Sequence, residues 1–225
     1  MRTSFRATPR ASCLNRRELL DACFGKSVPG WKLAREVSEP STDTQAYVYQ
    51  PDVGGRCVLA FPPTKGIEDW IRNVQVSKVS FDSRGRSIWK TRIHSGWFNA
   101  WESIRHEVVR AIWPSAGLVS HVTGYSLGAA LALIAAWDLG RGMSFSVTTF
   151  AGPRTGNRGF ISEVQSLVSV HRVVYGNDLV ARIPPWFFGY RHAGTKVRIG
   201  DRVWTPWGDP MDHLPERYRE ALDAS

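Results

Sequence analysis

Five residues constrain this chain more than any other stretch: Gly124-Tyr-Ser-Leu-Gly128, set between the apolar run Leu118 to Thr123 and the alanine-rich segment Ala129 to Asp138. The first run reads as a strand and the second as a helix, and a glycine-bounded turn joins them without an intervening loop. A side chain at either flanking position would collide with the neighbouring strand or helix, so small residues there are a steric requirement of so sharp a bend. The bend exposes the Ser126 hydroxyl and leaves it at a helix N-terminus, where partial positive charge favours a developing anion. A lone Gly-x-Ser-x-Gly is a weak signal, and the strand before and helix after give it weight.

The rest of the chain repeats the same rhythm. Phe145 to Phe150 and Val170 to Tyr175 are short apolar strands separated by a polar helical segment, Gly156 to Leu167, which is the βαβ pattern of a parallel sheet covered on both faces. Gln45 to Gln50 and Arg56 to Phe61 flank Pro51-Asp-Val-Gly-Gly55 and predict a hairpin. Val74 to Phe81 predicts a further strand. Phe98, Trp101, Ile104, Val108 and Ile112 recur at helical spacing, so Trp97 to Trp113 predicts an amphipathic helix ended by Pro114. Lys196 to Trp204, broken at Gly200-Asp201, predicts a hairpin, and Asp212 to Leu222 a last helix. Residues 1–44 read as a peripheral extension carrying a helix at Asn15 to Phe24, whose Asn15 and Glu18 have capping-box spacing. The expected architecture is α/β: one domain over 45–225, with a mostly parallel central sheet flanked by helices.

Several function classes drop out on composition. No uncharged apolar run approaches the roughly 18 residues of a membrane helix, the longest being Leu127 to Trp137. The net charge of +9 suits an anionic partner, but the basic residues are scattered, so charge by itself assigns no nucleic-acid role. Cys13, Cys23 and Cys57 lack the paired spacing of a zinc site and leave an odd thiol, so neither a metal nor a disulfide framework is expected, and no cofactor is implied. Met1 to Arg17 carries five Arg and no acid but lacks the apolar core of a secretory signal. A cytoplasmic location is the resulting expectation.

A serine hydroxyl is a poor nucleophile at neutral pH. Ser126 therefore needs a base, and the base needs an acceptor that fixes its tautomer. In hydrolases built on such a turn both partners follow the nucleophile in the chain, leaving His171, His192 and His213 as bases. Asp178 stands just beyond the strand ending at Tyr175, at the end of the sheet where α/β sites collect.

At this point the residues resemble the class 3 lipase family of α/β-hydrolases, in blocks spread over about residues 45 to 222. Val122-Thr-Gly-Tyr-Ser-Leu-Gly-Ala-Ala-Leu-Ala132 is similar to the family's serine block, Thr149-Phe-Ala-Gly-Pro-Arg-Thr-Gly-Asn157 to the strand and loop after it, and Val174-Tyr-Gly-Asn-Asp-Leu-Val-Ala-Arg-Ile-Pro-Pro185 to its acid block. His94-Ser-Gly-Trp-Phe98 resembles a segment that precedes a long helix. The resemblance implies Ser126 as nucleophile, Asp178 as acid and His213 as base, with His192 the competitor. It also implies an oxyanion hole formed by the Leu127 amide and by Thr64, which follows Phe61-Pro-Pro where the family carries Phe-Arg-Gly. Asn73 stands where the family often has an Asp that steadies the Thr64 hydroxyl, and Lys65 to Ile71, with Trp70, aligns with a lid helix. Trp97, Trp186, Phe187 and Phe188 are candidates to line an acyl pocket. The implied activity is hydrolysis of carboxylic esters carried on lipids or smaller acyl donors through an acyl-enzyme. The basic surface suits transient contact with an anionic membrane. A non-enzymatic alternative is a scaffold that binds lipid or protein because Pro62 and Pro63 remove amide donors beside the oxyanion hole.

Overall fold

The computed structural model describes residues 13–64, 78–80, 91–113, 118–201 and 208–225. The central sheet is built outward from β3 (Cys57–Phe61), whose five residues are all buried, as expected of a short apolar run covered on both faces. β2 (Thr44–Pro51) folds back on it antiparallel, pairing Tyr47 with Ala60 and Tyr49 with Val58, so the predicted hairpin is formed. On its other side β3 pairs in parallel with β6 (Val119–Tyr125), followed by β7 (Ser146–Phe150), β8 (Ser169–Tyr175) and β9 (Thr195–Ile199), also in parallel. With β1 (Trp31–Glu39) at the far edge the order is β1-β2-β3-β6-β7-β8-β9. β4 (Lys78–Ser80) and β5 (Arg92–His94) form a separate antiparallel pair.

One face of the sheet is covered by α2 (Ser95–Ile112), α3 (Leu127–Leu139) and α4 (Arg158–Leu167), which contribute Trp97, Trp101, Ile134 and Phe160 to the larger core. The other face carries α1 (Arg16–Ala22) and α5 (Pro215–Asp223), around Leu19, Leu20, Tyr125, Val173 and Tyr218. α3 packs on the sheet with α2 and α4 beside it and is apolar on every side; all of its residues are buried except Asp138. Burying side chains such as Leu131 and Ile134 contributes about 1.5–3 kcal/mol each. Asp138 is held by two donors from α2, the Trp101 indole N–H at 3.2 Å and the Arg105 Nε at 2.6 Å. α1 begins with a capping box in which Asn15 Oδ1 accepts from the Glu18 amide at 2.9 Å and the Asn15 amide donates to Glu18 at 2.8 Å.

One expectation needs correction. The stretch before residue 45 is not peripheral, because β1 pairs with β2 along its length and α1 buries Leu19, Leu20 and Ala22. As an edge strand β1 buries only Trp31 and Val37 and carries Lys32, Arg35 and Glu36 outward, so it lacks the alternation by which a strand is recognised. Of the hairpin expected at 196–204, the first arm is formed as β9, which runs parallel to β8. Gly200, with φ +66°, ends that strand, and residues 202–207 lie outside the described residues. Of the strand expected at 74–81, only 78–80 is described. The candidate lid at 65–71, Asn73 and Pro114 also lie outside the described residues.

Candidate active site

The parallel strands end together, and the turn after β6 rises from that edge. Ser126 takes φ 56° and ψ −120°, a sparsely populated conformation for a residue with a side chain, and immediately precedes the first turn of α3. Its neighbours leave no room for a looser bend. A Cβ at Gly124 would lie 2.1 Å from the Gly128 carbonyl oxygen, and one at Gly128 would lie 2.3 Å from the Phe61 oxygen and 2.4 Å from the Pro62 oxygen. Both clashes are with backbone, which cannot swing aside. The Ser126 amide donates to Phe150 O of β7 at 2.9 Å, tying the turn to the next strand.

Facing this serine is a base held by two loops sewn together. The acid loop leaves β8 through Gly176 (φ +44°), and the base arrives on the 3-10 turn Met211–His213. The Asp209 amide donates to Asn177 O at 2.9 Å and the Leu179 amide to Asp209 O at 3.3 Å. Asp212 Oδ2 accepts from the Asn177 amide at 2.7 Å. Across this seam His213 Nε2 lies 2.9 Å from Ser126 Oγ, and His213 Nδ1 lies 3.0 Å from each carboxylate oxygen of Asp178. Asp178 is buried, with 1% exposure, so its charge must be met by donors. Besides the imidazole it accepts from the Val180 amide at 2.8 Å and the Tyr218 hydroxyl at 2.6 Å. With an Nδ1 hydrogen directed at a carboxylate, Nε2 is left as the acceptor for the serine proton. Ser126, His213 and Asp178 thus form one continuous line of hydrogen bonds. The family profile described as Lipase (class 3) matches residues 58–188, a span that holds both the serine turn and the acid loop.

The chain belongs to the class 3 lipase family.

In this member of the class 3 lipase family the remaining sequence candidates sort out by position. His192 is turned away from the serine: its Nε2 donates to Ala181 O at 2.7 Å, and burial, with the charges of Arg172 and Arg154, pushes its pKa well below the ordinary imidazole value. His94 is buried and stacks on Trp97, with centroids 4.1 Å apart. Trp97 is core, whereas Trp186, Phe187 and Phe188 are exposed at 63%, 66% and 47% and so do not line a closed pocket. Leu127 opens α3, so its own amide precedes the intrahelical ladder. Thr64 is half-buried, two residues beyond the Phe61–Pro62 backbone that abuts Gly128. Two contributors, Tyr125 and Tyr218, carry no mark in the sequence. Tyr125 donates its hydroxyl to the His213 carbonyl, and burial, then the Asp178 charge, raises the pKa of both phenols. Tyr218 is one aromatic among many, and Tyr125, although it directly precedes Ser126, acts through a bond to a residue 88 positions away.

Named relatives are similar to the chain as a whole. The chain is 32% identical over 179 residues to the secreted mono- and diacylglycerol lipase 1 of Fusarium solani, covering 76% of this chain and 50% of that protein. It is 28% identical to the secreted mono- and diacylglycerol lipase A of Penicillium cyclopium, covering 70% and 52%. It therefore spans about half the length of the curated relatives it matches. Among solved structures it superposes with a TM-score of 0.75, at 25% identity, on a triacylglycerol lipase whose catalytic centre is a serine protease triad, covering 88% of this chain and 90% of that one. The fold is accordingly that of the α/β-hydrolases. The expected cytoplasmic location is overturned, because both relatives are secreted lipases. The lack of an apolar stretch in residues 1–17 is not a sufficient guide to compartment. Among the described residues no helix is long and apolar enough to cross a membrane.

Proposed function

We propose that this protein is a serine hydrolase of carboxylic esters, acting on lipid acyl esters or smaller acyl donors. The reading rests on one observation: Ser126 Oγ, His213 and Asp178 stand in series at 2.9 and 3.0 Å. His213 accepts the Ser126 proton as Oγ attacks the ester carbonyl, and Asp178 stabilises the imidazolium that results. The oxyanion of the tetrahedral intermediate is met by the Leu127 amide and by Thr64. Collapse expels the alcohol, which takes the proton from His213, and leaves an acyl-enzyme on Ser126. Water, deprotonated by the same imidazole, attacks that ester and releases the acid. A preorganised oxyanion donor is worth about 3–4 kcal/mol, so Thr64→Ala should lower kcat by roughly two to three orders of magnitude.

A fluorophosphonate provides the direct test. It should label Ser126, and labelling should vanish in Ser126→Ala and His213→Ala while persisting in His192→Ala. An unlabelled wild-type protein would favour the scaffold that binds without turnover, and labelling that depends on His192 would overturn the choice of base. The net charge of +9 supports anionic phospholipid as one ester source, with transient contact at an anionic membrane. Equal hydrolysis of neutral and anionic vesicles at low salt would remove that part of the proposal.

A further inference from the structure

Nine large apolar side chains are exposed among the described residues, and five of them lie on the two loops that carry the acid and the base. Trp186, Phe187 and Phe188 follow Asp178 on the acid loop, and Met211, at 57%, and Leu214, at 40%, flank His213. The aromatic turn sits at the same end of the sheet as Ser126. Arg154, in the loop leaving β7, holds it there, its amide donating to Ile183 O at 2.8 Å and its Nη1 to Pro184 O at 2.8 Å. The turn is also tied down by hydrogen bonds. The Gly189 amide closes on Trp186 O at 2.9 Å, and the exposed Arg191 donates to the same oxygen at 2.7 Å. Water-facing aromatics fixed in this way cost solubility, and a built apolar projection of this kind marks an interaction surface.

The charge around the projection says what it faces. Arg154, Arg172, Arg191 and Arg198 form no ion pair among the described residues; instead Arg154, Arg191 and Arg198 donate to carbonyl oxygens of residues 176–190. Burial and then the Arg154 charge push Arg172 down to about 10, and burial followed by the Arg191 and Arg182 charges lowers Arg154. An apolar protein partner would leave this charge unanswered, whereas the surface of an anionic bilayer offers acyl chains for the aromatics and phosphates for the guanidinia.

We infer that the Trp186-Phe187-Phe188 turn, with Arg191 and its neighbouring arginines, is the face by which the protein seats on an anionic phospholipid surface, Trp186 and Phe187 entering the headgroup layer and the triad end turned toward the lipid. The inference deepens the ester-hydrolase reading by naming the surface from which that site draws its substrate, and it rests on that reading only for its purpose.

Vesicle co-sedimentation tests it, performed in a Ser126→Ala background so that lipid is not consumed. Binding to phosphatidylcholine vesicles containing phosphatidylglycerol should exceed binding to phosphatidylcholine alone and should weaken at high salt. Adding Trp186→Ser and Phe187→Ser should lower the partition coefficient at least about tenfold. Arg191→Gln, which leaves the aromatics in place, should lower it about fivefold on the anionic vesicles only. Trp113→Ser removes an aromatic that is 74% exposed at the end of α2, the far end of the sheet, and should bind as the parent does. Parent-like binding by the double variant would overturn the proposal, as would an equal loss in Trp113→Ser or indifference to lipid charge. Fluorophosphonate labelling of the wild type without vesicles reports separately on the hydrolase reading, so either idea can fail alone.

Discussion

The serine turn and the acid–base rim face each other across less than 3 Å, yet they are fixed by different physics. At the turn, position is enforced by exclusion: Gly124 and Gly128 lie against backbone atoms, and nothing larger fits. At the rim, position is enforced by satisfaction. Asp178 is buried and meets three donors, while its loop is pinned by side chains from β9, α5 and the loop leaving β7 and by backbone bonds to residue 209. Exclusion is local in sequence and brittle, whereas hydrogen bonding is distributed and degrades by degrees. The two halves of the site should therefore fail differently under substitution.

The largest effect is expected at Gly128→Ala. Its Cβ would press on the Phe61 and Pro62 oxygens, so either β3 or α3 must shift, and both are buried. Overpacking against backbone should cost about 3 kcal/mol or more, with activity lost in whatever protein remains folded. Denaturant melts of the variant and parent measure this. A stability within about 1 kcal/mol of the parent would show that the turn is looser than its geometry implies.

The same division separates what is legible in the amino-acid sequence from what is not. The turn, the strands β3, β6, β7 and β8, and the helices behind them follow from short-range patterns: apolar runs, glycine spacing and helical periodicity. Ser126, Asp178 and His213 are legible because the family resemblance fixes their blocks, and the fold brings all three together. β1 is not legible, since an edge strand wet on both sides has no alternation to find. Tyr218 and Tyr125 are hidden for a different reason. Their roles are set by partners 40 and 88 residues away, which no local pattern encodes.

Tyr218→Phe sharpens the contrast from the rim side. It removes one hydroxyl and leaves the ring against Tyr125, so the cavity is negligible and the bond to Asp178 is lost. The imidazole and the Val180 amide still serve the carboxylate. A loss of about 1–2 kcal/mol in stability and several-fold in kcat, with KM unchanged, is expected. A collapse as severe as that of Gly128→Ala would mean that the rim is as brittle as the turn, and the distinction would fall.

At neutral pH the smallest effect concerns β6, which delivers the serine. His121 sits on that strand with Nε2 2.9 Å from Thr148 Oγ1 on β7, and burial, followed by the charge of His171, pushes its pKa down to about 4 from an ordinary 6.5. In the unfolded chain His121 takes up its proton near 6.5, so between pH 6.5 and 4 the unfolded state binds more protons than the native one. Stability is full above that window and is lost as pH falls through it, by up to about 3 kcal/mol for this group alone. His121→Asn should flatten the pH dependence of the urea midpoint between 6.5 and 4 while leaving the hydrogen bonds of Asp178 untouched. If the midpoint still falls as steeply, acid weakens the molecule elsewhere, and the strand beneath the serine is not its pH-sensitive part. If the slope flattens and ester hydrolysis survives to lower pH, the turn depends on the seating of β6 as well as on its two glycines.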